Sequence, residues 1–180
     1  MTAVKDLIKK ICLLGDPAVG KTSLIRRYVF DMFDDKYITT IGTKVTKKTV
    51  TVPPLRPEAP TIKITLLIWD ILGQREYARL HPVYYQGAEA AFIVCDGTRG
   101  ETGRSLATWA QSFHKVVGDV PLVFLVNKWD LIDPATFDGG SIAAVAEQYG
   151  AKVYYTSALV GTNVNDAFTH IAELLAAKVR

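Results

Sequence analysis

The sequence predicts an α/β fold: a six-stranded, mostly parallel sheet with one antiparallel edge strand and helices on both faces. Strand-like and helix-like stretches alternate through all 180 residues, which is typical of such sheets. The later strands carry apolar residues at consecutive positions, as expected where helices cover both faces of a parallel strand. Apolar residues make up 49% and charged residues 22% of the chain. This composition excludes a disordered, collagen-like or disulfide-stapled protein.

The elements follow one another in a regular order. The first strand is predicted at residues 8–14, and a helix begins at Lys21 directly after it. Residues 44–52 mix Lys and Thr with Val and lie too close to the next strand for a crossover helix, so we interpret them as the antiparallel edge strand. The other strands are predicted at 62–69, 90–95, 122–126 and 152–155. Further helices are predicted to begin around Arg75 and at Thr102, Ser141 and Asn163.

Charge and cysteine content limit the possible partners and compartment. The net charge of +3 is too small to indicate a nucleic acid or a membrane surface as partner. Cys12 and Cys95 each lie in an apolar run, which predicts buried free thiols in a reducing, cytoplasmic setting. No apolar run reaches the roughly 18 residues that a membrane helix needs. No signal peptide and no cysteine-based prenyl anchor is visible.

Residues 53–60 are the one compositional oddity, with four prolines between two predicted strands. Proline cannot donate to a sheet ladder, so this segment is predicted to project as an extended loop at the sheet edge. We favour a stiff connector, and a dedicated recognition loop is the alternative.

The strongest local signal is Gly-Asp-Pro-Ala-Val-Gly-Lys-Thr at residues 15–22, which fits G-x-x-x-x-G-K-[ST] between a predicted strand and helix. Backbone N–H groups and the helix N-terminus would point at a polyphosphate. Lys21 would neutralise the outer phosphates, and Thr22 would offer its hydroxyl to Mg²⁺. A glycine-containing turn that matches by chance is the alternative, which the flanking strand and helix disfavour. The predicted phosphate-binding residues are Gly15, Asp16, Pro17, Ala18, Val19, Gly20, Lys21, Thr22 and Ser23.

Asn127, Lys128 and Asp130 form an N-K-x-D string directly after a predicted strand, at the end where open α/β sheets bind ligands. The Asp130 carboxylate can accept from both the N1–H and the exocyclic amine of guanine, and adenine has no such adjacent pair of donors. The string therefore favours guanine. Alone it is a weak signal, because Asn and Asp often cap loops and turns.

A third strand end carries Asp70, Gly73 and Gln74. Asp70 is predicted to hold Mg²⁺ through a water, and Gly73 can present its backbone N–H to a γ-phosphate because no side chain blocks the approach. Gln74 could orient the attacking water. A helix cap and an ordinary turn are the alternatives for this segment alone. The ordered occurrence of three strand-end motifs favours a nucleotide site.

On these motifs the chain resembles the small GTPases of the Ras superfamily, and most of all their Rab branch, over nearly its full length. The segments Tyr-Ile-Thr-Thr-Ile-Gly at 37–42, Pro-Val-Tyr-Tyr-Gln-Gly-Ala at 82–88 and Gly-Thr-Asn-Val at 161–164 are also similar to Rab sequences. The resemblance implies one three-layer P-loop GTPase domain over residues 1–180, with residues 53–60 as a hairpin insertion.

The resemblance also implies roles for single residues. Thr40 would sense Mg²⁺, Phe33 would pack against the base, and Tyr37 would cover the phosphates. The Ala158 N–H would meet the guanine carbonyl, with Ser157 and Leu159 beside it. The implied catalytic residues are Gln74, Lys21 and Thr40, and the implied metal ligands are Thr22, Thr40 and Asp70.

The implied function is a switch that binds GTP or GDP with Mg²⁺ and hydrolyses GTP slowly. Effector, activating and exchange proteins would contact its two switch regions, and the protein would act as a cytoplasmic monomer. Ile38 stands where an internal arginine would be needed. We therefore expect an activating protein to supply that charge, which adds roughly 10³ to 10⁵ in rate.

Several positions depart from the family pattern. Pro17 and Ala18 stand where Rab sequences usually have Ser and Gly, so one backbone donor is missing. Leu159 replaces the usual Lys. A GTP-binding scaffold that does not cycle is therefore an alternative, although the retained Gln74 and Thr40 argue against it. A P-loop ATPase or kinase is a further alternative, which the guanine motif disfavours.

Other chemically suggestive residues have plainer interpretations. His81, His114 and His170 are isolated, so packing or surface roles are favoured over metal binding. Trp109 and Phe113 lie at helical spacing, which is typical of core residues.

Overall fold

Six strands form the central sheet of the protein. The computed structural model describes residues 4–36, 38, 40–54 and 56–179. The strands are β1 (Val4–Leu14), β2 (Thr43–Val52), β3 (Thr61–Ile71), β4 (Ala90–Asp96), β5 (Leu122–Asn127) and β6 (Lys152–Tyr155). Their order across the sheet is β2–β3–β1–β4–β5–β6.

Strand direction follows the chain connections. β1 pairs in parallel with β3 and β4, and β4–β5 and β5–β6 are parallel as well. Only β2 runs antiparallel, along the outer side of β3 from Thr43 opposite Ile71 to Val52 opposite Ile62. The predicted fold class, including its single antiparallel edge strand, is confirmed.

The helices connect the strands and cover both faces of the sheet. They are α1 (Lys21–Phe30), α2 (His81–Tyr85), α3 (Gly100–Arg104), α4 (Leu106–Val117), α5 (Gly140–Gln148) and α6 (Val164–Ala177), with 3₁₀ turns at Arg75–Leu80 and Trp129–Leu131. None of the helices in the described part of the chain has the length and apolar character needed to cross a membrane.

Some element boundaries differ from the prediction. β1 begins at Val4 rather than at residue 8, because its charged first half is paired with β3 from Val4 opposite Thr61 onward. The helix expected to begin at Thr102 is two helices, α3 and α4, joined at Ser105. The segment around Arg75 is a 3₁₀ turn that leads into α2.

The core lies in two layers, one on each face of the sheet. On one face Phe168 of α6 stacks on Tyr28 at a ring-centroid distance of 3.9 Å and packs against Phe92. On the other face α4 contributes Trp109 and Phe113 to a second cluster. Both cysteines are buried and free, as predicted. Since the strands are sandwiched between helices, their side chains anchor the sheet and leave the carboxyl ends of the strands to carry the loops.

Candidate functional site

The phosphate-binding motif forms the connection between β1 and α1. Three of its backbone positions have positive φ angles: Gly15 at 150°, Ala18 at 61° and Gly20 at 100°. A side chain at Gly20 would collide with the amide nitrogen of Asn127, which approaches the loop from the end of β5. Glycine at position 20 is therefore needed both for the backbone conformation and for this close approach.

Lys21 is folded into the loop that precedes it. Its ammonium group donates to the carbonyl oxygens of Gly15 and Asp16 at 2.8 and 2.9 Å, and the residue is only 7% exposed. Burial lowers the pKa of Lys21 to about 8, and the nearby carboxylates of Asp70 and Asp16 oppose that shift. A buried cation of this kind favours an anionic ligand, because a phosphate would compensate its desolvation.

Thr22, Thr40 and Asp70 come together beside Lys21, although they lie far apart in the sequence. The two threonine hydroxyls are 2.8 Å apart, and Thr22 donates to the Asp70 carboxylate. The second carboxylate oxygen of Asp70 is buried and has no hydrogen-bond partner among the described residues. Burial raises the pKa of Asp70, and the Thr22 hydrogen bond and the Lys21 charge oppose that shift. This set of hard oxygen donors fits Mg²⁺.

Gly73 and Gln74 follow the end of β3. A Cβ atom at Gly73 would lie 2.7 Å from the Asp16 carbonyl carbon and 2.8 Å from the Pro17 nitrogen. Only glycine allows the segment after β3 to rest against the phosphate loop at this separation. The side-chain carbonyl of Gln74 is buried without a hydrogen-bond partner in the described part of the chain.

The N-K-x-D segment contacts the phosphate loop through Asn127. Its amide donates to the Val19 carbonyl at 3.0 Å, and its side-chain oxygen accepts from Thr156 at 3.2 Å. The Asp130 carboxylate accepts from Ser157 at 2.6 Å. The predicted guanine-recognition residues and the predicted phosphate loop thus form one connected structure.

The segment after β6 closes the base end of the site. Ala158 is buried and Leu159 is 43% exposed. Arg27 of α1 donates to the carbonyl oxygens of both residues, at 2.8 and 2.6 Å. Arg27 was not predicted as part of the site. Its contacts span more than 130 positions of sequence, so no local pattern could have indicated it.

These segments surround one cavity of about 320 Å³, a volume in the usual range for small-ligand sites. Most of the predicted site residues line it: Pro17, Ala18, Gly20, Lys21, Thr22, Ser23, Phe33, Thr40, Gly73, Gln74, Asn127, Lys128, Asp130, Ala158 and Leu159. The remaining ones support the wall from behind: Gly15, Asp16, Val19, Asp70 and Ser157. Tyr37 lies outside the residues that the structure describes.

Some lining residues had no predicted role. Arg26 of α1 lies in the cavity wall and pairs with Asp34 at 3.6 Å. Asp35, Lys36, Ile38, Ile71, Leu72 and Leu131 also line the cavity. Most are neighbours of predicted residues, so proximity in sequence was the only available signal.

A charged cluster joins the base end of the cavity to the phosphate end. The carboxylate of Asp96 pairs with Lys128 at 2.7 Å and with Arg99 at 3.1 Å. Arg99 also donates to the Pro17 carbonyl at 2.8 Å. Burial alone would raise the pKa of Asp96, but hydrogen bonds from Lys128, Thr98 and Arg99 hold it below its usual value. Asp96 is therefore an anion that fixes both loops.

Trp109 is a core residue, as predicted, and it has a further contact that the sequence did not suggest. The residue is 9% exposed, and its indole N–H donates to the Asp16 carboxylate at 2.8 Å. The partners are 93 positions apart. Helix α4 thereby holds the phosphate loop directly.

Comparisons with known proteins agree with this geometry. The family model for the Ras family matches residues 10–177. The Ras-related protein Rab-21 of Geodia cydonium is 36% identical over 165 residues, which cover 91% of this chain and 69% of that protein. The GTP-binding protein ypt5 of Schizosaccharomyces pombe is 34% identical over 97% of this chain and 82% of its own length. The Ras-related protein Rab-31 of Rattus norvegicus is 37% identical over 96% of this chain and 84% of its own length.

Proposed function

Because this chain belongs to the Ras family of small GTP-binding proteins, we propose that it is a Rab-like switch that binds GTP or GDP with Mg²⁺ and hydrolyses GTP. One observation carries the proposal. A single cavity is lined by Lys21 and Thr22 of the phosphate loop, by Gly73 and Gln74, and by Asp130 of the base-recognition motif. Its lining therefore combines polyphosphate-binding groups with a guanine-selective carboxylate.

The phosphates would be bound by the backbone N–H groups of residues 15, 16 and 18–20 and by Lys21, since Pro17 has no N–H to donate. On binding, the Lys21 ammonium would exchange its contacts with the Gly15 and Asp16 carbonyls for phosphate oxygens. Thr22, Thr40 and Asp70 would hold Mg²⁺, which when bound neutralises charge on the outer phosphates. At the other end, Asp130 would accept from guanine, and Phe33, Ala158 and Leu159 would surround the base.

Hydrolysis would depend on Gln74 placing a water for attack on the γ-phosphate. Thr40 and the Gly73 N–H would contact the γ-phosphate end, and loss of that phosphate would release both segments. The surface shown to partners would then change. Ile38 at the cavity rim is apolar and 65% exposed, so we expect an activating protein to supply the missing positive charge.

We further propose that residues 1–180 act as one GTPase domain, with residues 53–60 as a hairpin insertion. We also propose that the protein acts as a monomer. The two buried free cysteines support a cytoplasmic location. Effector and exchange proteins would contact the segments around Thr40 and Gln74.

The test is nucleotide selectivity together with turnover. We expect the protein to bind GTP and GDP more tightly than ATP and to release phosphate from GTP in repeated turnovers, faster in the presence of cell extract. Gln74→Leu should keep GTP binding and reduce phosphate release by about 10²-fold. Asp130→Asn should shift the preference toward xanthine nucleotides, because the substituted amide can donate to a carbonyl where the carboxylate could only accept.

Two results would contradict the proposal in different ways. Tight GTP binding with no phosphate release, with or without extract, would identify a scaffold that does not cycle. Tighter binding of ATP than of GTP would identify a P-loop ATPase or kinase.

A further inference from the structure

His81 is a buried histidine that the nucleotide-binding motifs leave unused. It is the first residue of α2 and only 6% exposed. Its Nε2 atom lies 3.0 Å from the carbonyl oxygen of Leu72, the residue directly before Gly73. Because a carbonyl oxygen can only accept, Nε2 must carry the proton and donate. The imidazole therefore fixes the backbone immediately before the Gly73–Gln74 segment.

The other side of the His81 ring contacts Trp109. The ring centroids are 5.2 Å apart with an interplanar angle of 38°. The Trp109 indole N–H in turn donates to the Asp16 carboxylate at 2.8 Å, and this hydrogen bond is buried. A continuous series of contacts, here called the His81 relay, thus runs from Leu72 through His81 and Trp109 to Asp16.

Gly73, the residue after Leu72, also contacts the Asp16 end of the His81 relay. Gly73 rests on the backbone of Asp16 and Pro17, where even a methyl group would have no room. The relay consequently buttresses a contact between the phosphate loop and the segment that carries Gln74. Because a misplacement of about 1 Å can slow a reaction by about 10²-fold, this contact bears directly on how Gln74 would position a water.

We infer that His81 is a positioning residue for GTP hydrolysis, which holds Gly73 and Gln74 against the phosphate loop through the Leu72 carbonyl, Trp109 and Asp16. The inference rests on the proposed GTPase function. Nucleotide affinity should depend on it little, because the base would be bound through Asp130 and the phosphates largely through Lys21, and neither residue belongs to the relay. Hydrolysis should depend strongly on His81. The reaction, unlike binding, requires Gln74 and the Gly73 N–H to be held at fixed positions relative to the γ-phosphate.

The experiment compares His81→Ala with a matched histidine variant. His114 also donates to a backbone carbonyl, that of Val120 at 2.9 Å, and also contacts an aromatic ring, that of Tyr149. It lies at the end of α4 and does not line the cavity. His114→Ala therefore removes a comparable local contact without touching the relay. His81→Gln can still donate to the Leu72 carbonyl and serves as the conservative variant.

Three quantities are measured on each purified protein: the dissociation constant for GDP, the single-turnover hydrolysis rate at saturating GTP and Mg²⁺, and amide hydrogen exchange in residues 72–75. In His81→Ala we expect hydrolysis to slow and exchange to accelerate by about tenfold each, the equivalent of one hydrogen bond, with GDP affinity changed by less than about threefold. His81→Gln should restore part of the hydrolysis rate and part of the protection from exchange. His114→Ala should match the wild type in hydrolysis rate and in amide exchange of residues 72–75.

The outcomes separate this inference from the proposed function. If His81→Ala keeps wild-type hydrolysis and exchange, the inference is wrong. If it changes both no more than His114→Ala does, His81 has a merely structural role. If the wild type binds GTP without hydrolysing it, the proposed hydrolysis fails, and the exchange of residues 72–75 still tests the positioning. Should His81→Ala not fold, Trp109→Phe removes the indole N–H that donates to Asp16 and part of the ring that contacts His81, and we expect it to slow hydrolysis as well.

Discussion

Single side chains hold this site together by joining segments that are distant in sequence. Asn127 belongs to the base-recognition motif, yet its amide donates to Val19 in the phosphate loop and its oxygen accepts from Thr156. It is 2% exposed. Replacing it would leave a buried carbonyl and a buried hydroxyl without partners, which costs more than the hydrogen bonds themselves contribute.

Some contacts of single residues could be predicted from the sequence, and others could not. The meeting of Lys21, Thr22 and Asp130 at one cavity could be predicted, because their motifs are contiguous and follow the ends of predicted strands. His81, Arg99 and Trp109 could not. A histidine, an arginine and a tryptophan each have many possible partners. Here they donate to Leu72, Pro17 and Asp16, which lie 9, 82 and 93 positions away. Only the packed structure selects among such partners.

The two cysteines give a prediction at this scale. Burial raises the pKa of both Cys12 and Cys95 to about 12, so the reactive thiolate is nearly absent at pH 8. We expect no alkylation of the folded protein by iodoacetamide at pH 8 and alkylation of both thiols in urea, counted by mass spectrometry. Because the unfolded thiols ionise near pH 9, their contribution to stability should be lost as pH rises above 9. Labelling of the folded protein would contradict the prediction.

Among the elements, the arrangement of the strands was predicted more accurately than the division of the helices. β2 could be identified as the edge strand, because it mixes lysines and threonines with valines and no crossover helix fits before β3. The break at Ser105 between α3 and α4 had no such signal. It is stabilised locally: Thr102 donates to the Arg99 carbonyl, and Ser105 donates to the Glu101 carbonyl. Side chains that compete for backbone groups in this way are hard to weigh from sequence alone.

The contact between the segment after β3 and the phosphate loop can be tested with Gly73→Ala. The added methyl group would lie 2.7–2.8 Å from backbone atoms of Asp16 and Pro17, so the two segments must separate. Overpacking of this kind costs about 1–3 kcal/mol. We expect slower single-turnover GTP hydrolysis with the overall fold retained by circular dichroism.

Gly100→Ala is the matched control for that experiment. A Cβ atom at Gly100 would meet only the end of the Arg104 side chain, at 3.5 Å, and the position lies at the start of α3. We expect hydrolysis within about twofold of the wild type. Equal rates in both glycine variants would show that the close contact at Gly73 has no part in the reaction.

At the scale of the whole molecule, the cavity and the proline-rich segment at residues 53–60 lie at opposite edges of the sheet. The cavity lies at the carboxyl ends of β1, β3 and β5, whereas residues 53–60 connect the opposite ends of β2 and β3. Ten strand residues at about 3.3 Å each place the two regions roughly 30 Å apart. The sequence could predict this arrangement because parallel strands bring their carboxyl ends to one edge. The contacts between side chains at that edge could not be predicted, because they depend on how the helices and loops pack together.

This separation predicts that the proline-rich loop can be removed without loss of nucleotide binding. We expect a variant with residues 53–60 replaced by Asn-Gly, a sequence favoured in tight hairpins, to keep GDP affinity and GTP hydrolysis within about twofold of the wild type. Nucleotide titration and phosphate release measure both. A tenfold loss of affinity would mean that the loop acts on the cavity and is more than a connector.

The Asp96 cluster has a kinetic consequence for any bound nucleotide. One carboxylate holds Lys128 beside the base and, through Arg99, the Pro17 carbonyl beside the phosphates. The groups proposed to bind the two ends of a nucleotide therefore share one anchor, and we expect both loops to loosen together when the nucleotide leaves. We therefore expect that a partner displacing either loop would shorten the residence time of the whole ligand without contacting both ends.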